Sequence, residues 1–259
     1  MTYQTISLTH DGPVAHLRLA RADKRNAMSE TMLEELKDAA DTLATDDSAR
    51  VVVLSAEGDV FCAGGDLDWM RAQMTADAAT RRAGARRLSD MLAALDRLPK
   101  PLIGRVHGNA FGGGVGLMSV CDSVIAADGT RFGLTETRLG LVPATIGPYV
   151  VARIGAHARR LFFTPRLFDA EEACRIGLVS RVVPAPDLDA AIVAEVAPCL
   201  AAAPAAVARA KALERRLRGN LDEDRVEAAL DALVESWEHP EAAEGIAAFF
   251  DKRTPGWAE

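Results

Sequence analysis

Long apolar runs are missing from this 259-residue chain: Val51 to Leu54 is short, and Leu200 to Ala208 is Ala-rich and interrupted by Pro204. Neither approaches the roughly 20 residues needed to span a bilayer, so no transmembrane helix is expected. The stretch Met1 to Asp11 is polar and alternating, without the basic and apolar regions of a signal peptide, and no export is expected. Cysteine is scarce. Cys62, Cys121, Cys174 and Cys199 form no C-x-x-C pair and stand near no histidine cluster at metal-ligand spacing. They read as reduced, mostly buried thiols of a cytoplasmic protein with no metal centre. Positive charge is also in deficit: the net charge of −7 opposes a generalised nucleic-acid surface, which needs concentrated Lys and Arg. Neither G-x-x-x-x-G-K-[ST] nor a G-x-G-x-x-G at a first strand-helix turn is present, so nucleotide fingerprints are lacking. There is no repeat, low-complexity tract or Gly/Ser linker.

What the chain does hold is enough apolar residue, 49%, for a sizeable core, and an alternating α/β pattern. Tyr3 to Leu8 and Val14 to Leu19 alternate around Asp11-Gly12-Pro13 and predict a hairpin. Ser29 can cap a helix in which Met32, Leu33, Leu36, Ala39, Ala40 and Leu43 follow helical spacing to about Asp47. Val51 to Leu54 predicts a strand covered on both faces. Residues about 70 to 98 read as helix, with a Leu88, Met91, Leu92, Leu95, Leu98 stripe ended by Pro99-Lys100-Pro101. A strand over Leu102 to Val106, a helix over Val115 to Val120 and a strand over Cys121 to Ala127 follow. From Leu188 the pattern is almost wholly helical, with helices predicted from about Asp222 to Ser236 and from Pro240 to Asp251. A division is expected near residue 196, into a core of 1–195 and a helical region of 196–259.

Two glycine-rich loops each follow a predicted strand and precede a helix: Phe61-Cys62-Ala63-Gly64-Gly65-Asp66-Leu67 and Gly112-Gly113-Gly114. Such loops let backbone N–H groups approach a ligand, and a helix N-terminus adds partial positive charge. Each is a candidate anion cradle, or simply a tight turn.

The order of motifs carries more. Asp23 to Ser29, Phe61 to Leu67, Gly108 to Asp122, Phe132 to Glu136 with Gly140-Leu141-Val142-Pro143, Gly177-Leu178-Val179 and Glu244 to Phe249 with Lys252, Arg253 and Trp257 resemble the crotonase (enoyl-CoA hydratase/isomerase) superfamily along nearly the whole chain. The resemblance implies a ClpP/crotonase-like α/β spiral of ββα units and a C-terminal helical region that builds homotrimers or dimers of trimers. It also implies an acyl-CoA thioester substrate, with no separate cofactor, nucleic acid or membrane partner. On that resemblance Glu136 moves the α-proton and the N–H groups of Gly65 and Gly113 hold the thioester oxyanion. An apolar pocket would raise the Glu136 pKa so that it works in both directions. Ala63, Asp66, Leu67, Gly112, Gly116 and Arg138 are placed along the substrate. Lys24, Arg25 and, from a neighbouring subunit, Lys252 are placed beside CoA.

One departure stands out. Hydratases of the family have a glutamate two positions after the glycine triplet, where this chain has Gly116, a residue unable to orient water. Isomerases of the family work with the single carboxylate at the Glu136 place. A narrower resemblance, over Phe111 to Leu117 and Leu134 to Tyr149, is to bacterial 3-methylglutaconyl-CoA and isohexenylglutaconyl-CoA hydratases. It implies a substrate with a second carboxylate, for which Arg71 and Arg138 are candidate cations. The expected reaction is hydration or dehydration of such an acyl-CoA. The alternatives are a Δ3,Δ2-enoyl-CoA isomerase, a broad enoyl-CoA hydratase, or a non-catalytic acyl-CoA- or RNA-binding homologue. Arg81, Arg82, Arg86 and Arg87 read as a solvated basic face or an attractor of CoA phosphates. Asp122 reads as support for the glycine loop or strand, and His107 as a packed strand-end residue.

Overall fold

Alternating residues at the start form a hairpin in the computed structural model, which describes residues 3–219 and 223–258. Strands β1 (Ile6–Asp11) and β2 (Val14–Leu19) pair antiparallel across Gly12, whose φ of +51° suits glycine. Helix α1 (Glu30–Thr45) starts where Ser29 accepts a hydrogen bond from the Met32 amide, and its six predicted apolar positions are buried.

Every residue of β3 (Val51–Ala56) is buried. Val52 and Leu54 join one apolar cluster, whereas Val51 and Val53 join another on the opposite face, which is why the run shows no alternation. After β4 (Val60–Cys62), the single helical stretch expected over 70–98 is two helices, α2 (Leu67–Thr75) and α3 (Ala78–Asp96). The break is made by Asp77, whose carboxylate accepts from the Thr80 amide and caps the second helix.

The chain then alternates between two sheets. β5 (Leu102–Val106) and β7 (Ser123–Ala127) extend the first sheet, and β6 (Asn109–Phe111) and β8 (Arg131–Gly133) extend the second, with α4 (Gly113–Ser119) between them. α5 (Gly147–Ile154) and α6 (Ala158–Phe163) lead to β9 (Leu167–Asp169), α7 (Ala170–Arg175) and β10 (Arg181–Val183). The main sheet has the order β1-β2-β3-β5-β7-β10 and the second β4-β6-β8-β9. Each turn of the spiral thus adds one strand to each sheet, and the second sheet climbs past the start of α4. As expected, Asp122 supports a strand: its carboxylate accepts from the Leu102 amide at 2.7 Å and from Lys211 at 2.6 Å.

Among the described residues four α-helices follow: α8 (Leu188–Ala201), α9 (Pro204–Arg218), α10 (Glu223–Glu238) and α11 (Pro240–Asp251). The predicted helix near Asp222 begins within the described residues at Glu223, and Asp222 itself lies outside them. Residue 196 falls inside α8, whose Leu188, Ala191, Ile192 and Val196 pack with Val51, Val53, Ile103 and Ile125 of the main sheet. The arginine cluster of α3 is neither a bare solvated face nor turned to a ligand. Arg82 pairs with Glu227 and Asp231, and Arg86 with Glu223 at 2.9 Å and with Glu227, so these two clasp α10. Arg87 pairs with Glu30, and the Arg81 side chain donates to the Gln73 carbonyl.

Candidate active site

The first glycine loop follows β4. Its Ala63 amide donates to the Arg25 carbonyl and its Asp66 amide to the Met28 carbonyl, while the Gly64 carbonyl accepts from the Met28 amide. The Gly65 N–H between them has no acceptor among the described residues. The second loop follows β6. The Gly112 amide is tied to the Gly133 carbonyl at 3.0 Å, and Gly113 is the first residue of α4, so its N–H has no partner within the helix and none elsewhere among the described residues. Two free amides therefore stand on adjoining loops. Gly112 requires its residue type: φ is +48°, and a Cβ there would lie 3.1 Å from the Glu136 carboxylate and 3.9 Å from the Gly64 Cα. That close approach joins both loops to Glu136.

Glu136 opens a 3₁₀ turn, Glu136–Leu139, just past β8. The turn ends at Gly140, with φ of +69°, and the Leu141 amide returns to the Glu136 carbonyl. α11 lies directly on this turn. A Cβ on Gly140 would come within 2.3 Å of the Glu241 backbone, and one on Gly245 within 2.5 Å of the Leu139 backbone. Burial pushes the Glu136 carboxyl from 4.5 up to about 7. One carboxyl oxygen, Oε2, is shielded from solvent and has no hydrogen-bond partner among the described residues. Arg138 does not pair with it. An unpartnered oxygen in such a place favours the neutral acid, the form able to donate a proton near pH 7.

Glu136, Gly65 and Gly113 face a cavity of about 490 Å³. Ala63, Leu67, Gly112 and Arg138, all expected along the substrate, also line it. Its outer wall comes from the helical C-terminus: Leu233 and Trp237 of α10 and Phe249 of α11. Trp237 meets Trp69 edge-on at 6.5 Å between ring centroids. The wall is mostly apolar.

Several expected residues are not brought to this cavity. Asp66 instead caps α2, accepting from the Asp68 and Trp69 amides, and pairs with Arg21 at 3.0 Å. Lys24 and Arg25 belong to a short turn after β2 and do not line the cavity, and neither does Lys252, the residue that caps α11, within this chain. Arg71 stacks on Phe250 at 4.4 Å and pairs with Asp68. His107 holds the Gly58 carbonyl at 2.7 Å, as a strand-end residue should.

Gly116 is the most instructive. It is buried and does not reach the cavity, because a Cβ there would fall 2.6 Å from Ile146 Cγ2 and 3.1 Å from Ile146 Cβ. The isoleucine occupies the space a side chain at 116 would need. The sequence carried a trace of this, since Gly116 stands where hydratases of the resembled family carry a glutamate. The tryptophan and phenylalanine wall carried none, because it is assembled from segments far apart in the chain.

Comparison with known proteins agrees with this geometry. The family model described as "Enoyl-CoA hydratase/isomerase" matches residues 9–259. The chain is 35% identical over 263 residues to the probable enoyl-CoA hydratase echA8 of Mycobacterium bovis, covering 98% of each. Among solved structures, an enoyl-CoA hydratase from Mycobacterium avium superposes with a TM-score of 0.89 at 30% identity, covering 99% of this chain and 100% of the other. One from Mycobacterium smegmatis gives 0.80 at 36% identity, covering 99% and 100%. With two free glycine amides set beside a buried carboxyl at the centre of that shared fold, the chain belongs to the enoyl-CoA hydratase/isomerase family.

Proposed function

We propose that the chain adds water to, and removes it from, an α,β-unsaturated acyl-CoA, as the names of its relatives suggest. The reading rests on one observation: a carboxyl held near neutrality, with one oxygen unpartnered, beside the free N–H groups of Gly65 and Gly113. Charge develops on the thioester oxygen as water attacks the β-carbon, and fixed donors there lower the barrier selectively. Glu136 supplies the α-proton, and a proton from the water returns to Glu136.

The finer reading is a branched substrate with a distal carboxylate, 3-methylglutaconyl-CoA. In its support, Arg138 lines the cavity with its guanidinium unpaired among the described residues, whereas Arg71, Arg82, Arg86 and Arg87 all have carboxylate partners. A Δ3,Δ2-enoyl-CoA isomerase is the second reading, favoured by Ile146 filling the space at Gly116. For assembly as trimers or dimers of trimers, exposed Phe163 and Val151 offer apolar surface, and the four free cysteines suit the cytoplasm.

The test is incubation with 3-methylglutaconyl-CoA, crotonyl-CoA and a 3-enoyl-CoA, followed by mass spectrometry, with Glu136→Gln alongside. Gain of one water on the branched diacid, abolished in the variant, is the expected result. Double-bond migration without mass change identifies an isomerase, and inertness towards all three overturns both readings.

A further inference from the structure

Hydration demands that the attacking water be held, and the space that a side chain at 116 would fill is taken by Ile146. Of the carboxylates lining the cavity besides Glu136, Glu30 is engaged by Arg87 at 2.7 Å. The segment that supplies Ile146, however, also supplies a hydroxyl. Thr145 lines the same cavity as Glu136, Gly65 and Gly113 and is only 6% exposed. Among the described residues its Oγ1 has no hydrogen-bond partner, yet it is not one of the side-chain oxygens sealed away from solvent. A hydroxyl at such a depth with no protein partner is satisfied only by a water or a ligand that reaches it from the cavity.

We propose that the Thr145 hydroxyl is the positioning group for the water that adds to the substrate, a role that rests on the hydratase reading. The backbone around it is pinned. The Ala144 amide donates to the Val142 carbonyl at 2.7 Å, the Gly147 amide to the Ala144 carbonyl at 3.0 Å, and the Tyr149 amide to the Ile146 carbonyl at 3.1 Å. A β-branched side chain on a fixed backbone has few rotamers, so the hydroxyl is presented in a narrow range of directions. Thr145 accepts one O–H of the water and leaves the other for Glu136. It does not take the proton itself, because a threonine hydroxyl is no base near neutrality.

The atoms balance through a single carboxyl. The water oxygen bonds to the β-carbon, and the π electrons of the double bond shift towards the thioester oxygen held by Gly65 and Gly113. The Glu136 proton goes to the α-carbon, and one proton of the water returns Glu136 to its acid form. No second carboxylate is consumed or required. The route differs from isomerisation in one respect that can be measured: water enters the product, and only that step needs Thr145.

Two readouts therefore separate positioning from folding. The first is hydration of crotonyl-CoA and 3-methylglutaconyl-CoA. The second is deuterium wash-in at the α-carbon of butyryl-CoA in D₂O, which uses Glu136 and the two amides but adds no water. In Thr145→Val, which keeps the shape and removes the hydroxyl, hydration kcat should fall at least about tenfold, with KM and wash-in each within about twofold of wild type. Thr145→Ser should restore most of the hydration. Unchanged hydration in Thr145→Val overturns the proposal, and so does an equal fall in hydration and wash-in, the mark of a structural role. A loss carried by Thr135→Val instead moves the role to the other wall hydroxyl and overturns it too. A wild-type protein that washes deuterium in but never hydrates sinks the hydratase reading itself, an outcome separate from any of these.

Discussion

The two sheets of this molecule are built from the same spiral yet follow opposite rules. Strands of the main sheet have five or six residues except at its β10 edge, and β3 is buried on both faces. Each of the four strands in the second sheet has three residues, and the β4–β6 pairing is irregular between Val60 and Cys62. The short strands stop early, and where they stop the backbone turns through Gly64 and Gly112 at positive φ and leaves amides free. The second sheet, unlike the first, ends in two loops whose Gly65 and Gly113 amides have no acceptor among the described residues. Both sheets feed the same core, since Phe61, Phe132 and Phe168 of the second are fully buried, but the amides proposed to hold the oxyanion stand only where the second sheet ends.

That contrast can be broken most sharply at Glu136. Replacing it by Gln should lower turnover by roughly 10²–10⁴-fold, measured as initial rate of acyl-CoA conversion. The same variant should be more stable than wild type at neutral pH and above. Because the folded pKa is raised, from 4.5 to about 7, the folded chain holds the proton that the unfolded chain has lost across that window. Wild-type stability contributed by this group therefore falls as pH rises from 4.5 to about 7, by about 3 kcal/mol at most. The Glu136→Gln minus wild-type difference should be largest above pH 7 and vanish below 4.5, as followed by urea or thermal denaturation. Hydration and dehydration rates should decline together above about pH 7, because the cycle begins and ends with Glu136 in its acid form.

Leu54→Ala tests the other sheet. Leu54 is fully buried, and the change should cost about 2–5 kcal/mol in denaturation while leaving kcat of the folded protein near wild type. Between the two regions lies Gly116. Alanine there gains up to about 1 kcal/mol of helix propensity, but its Cβ meets Ile146 at 2.6 Å, and overpacking at about 1–3 kcal/mol should win. In an Ile146→Ala background, which removes the opposing methyl, the same change should become neutral or stabilising. Smallest of all, Arg82→Ala should cost about 1 kcal/mol or less, with a difference that shrinks in high salt, since its pairs with Glu227 and Asp231 are partly exposed.

Elements with a strong local signature were legible in the sequence. The limits of β5 at Leu102 and Val106, of α11 at Pro240 and Asp251, and the Ser29 cap all follow from prolines, spacing and one hydroxyl. The break between α2 and α3 was not, because Asp77 interrupts a helix-compatible composition only through a capping bond that spacing does not reveal. At the site, the motif order located Glu136, Gly65 and Gly113 at one cavity, since backbone amides and a turn are set locally. Side chains whose surroundings depend on distant partners were not legible. Asp66 reads as a ligand contact until Arg21 is seen beside it, and Arg82 as a free cation until Glu227, 145 residues further along, is folded against it. Thr145 went unnoticed because an isolated threonine in a loop has no pattern to mark it.

The packing of α11 on the turn that bears Glu136 has a mechanical meaning. Most neighbouring elements touch through side chains, which rotate and absorb small displacements. Here Gly140 lies against the Glu241 main chain and Gly245 against the Leu139 main chain, so the contact has no such cushion. A displacement of α11 would therefore pass to the turn that bears Glu136 with little taken up by side chains. Residues 240–251 thus help to fix where the Glu136 carboxyl stands, as the two glycine loops fix the Gly65 and Gly113 amides.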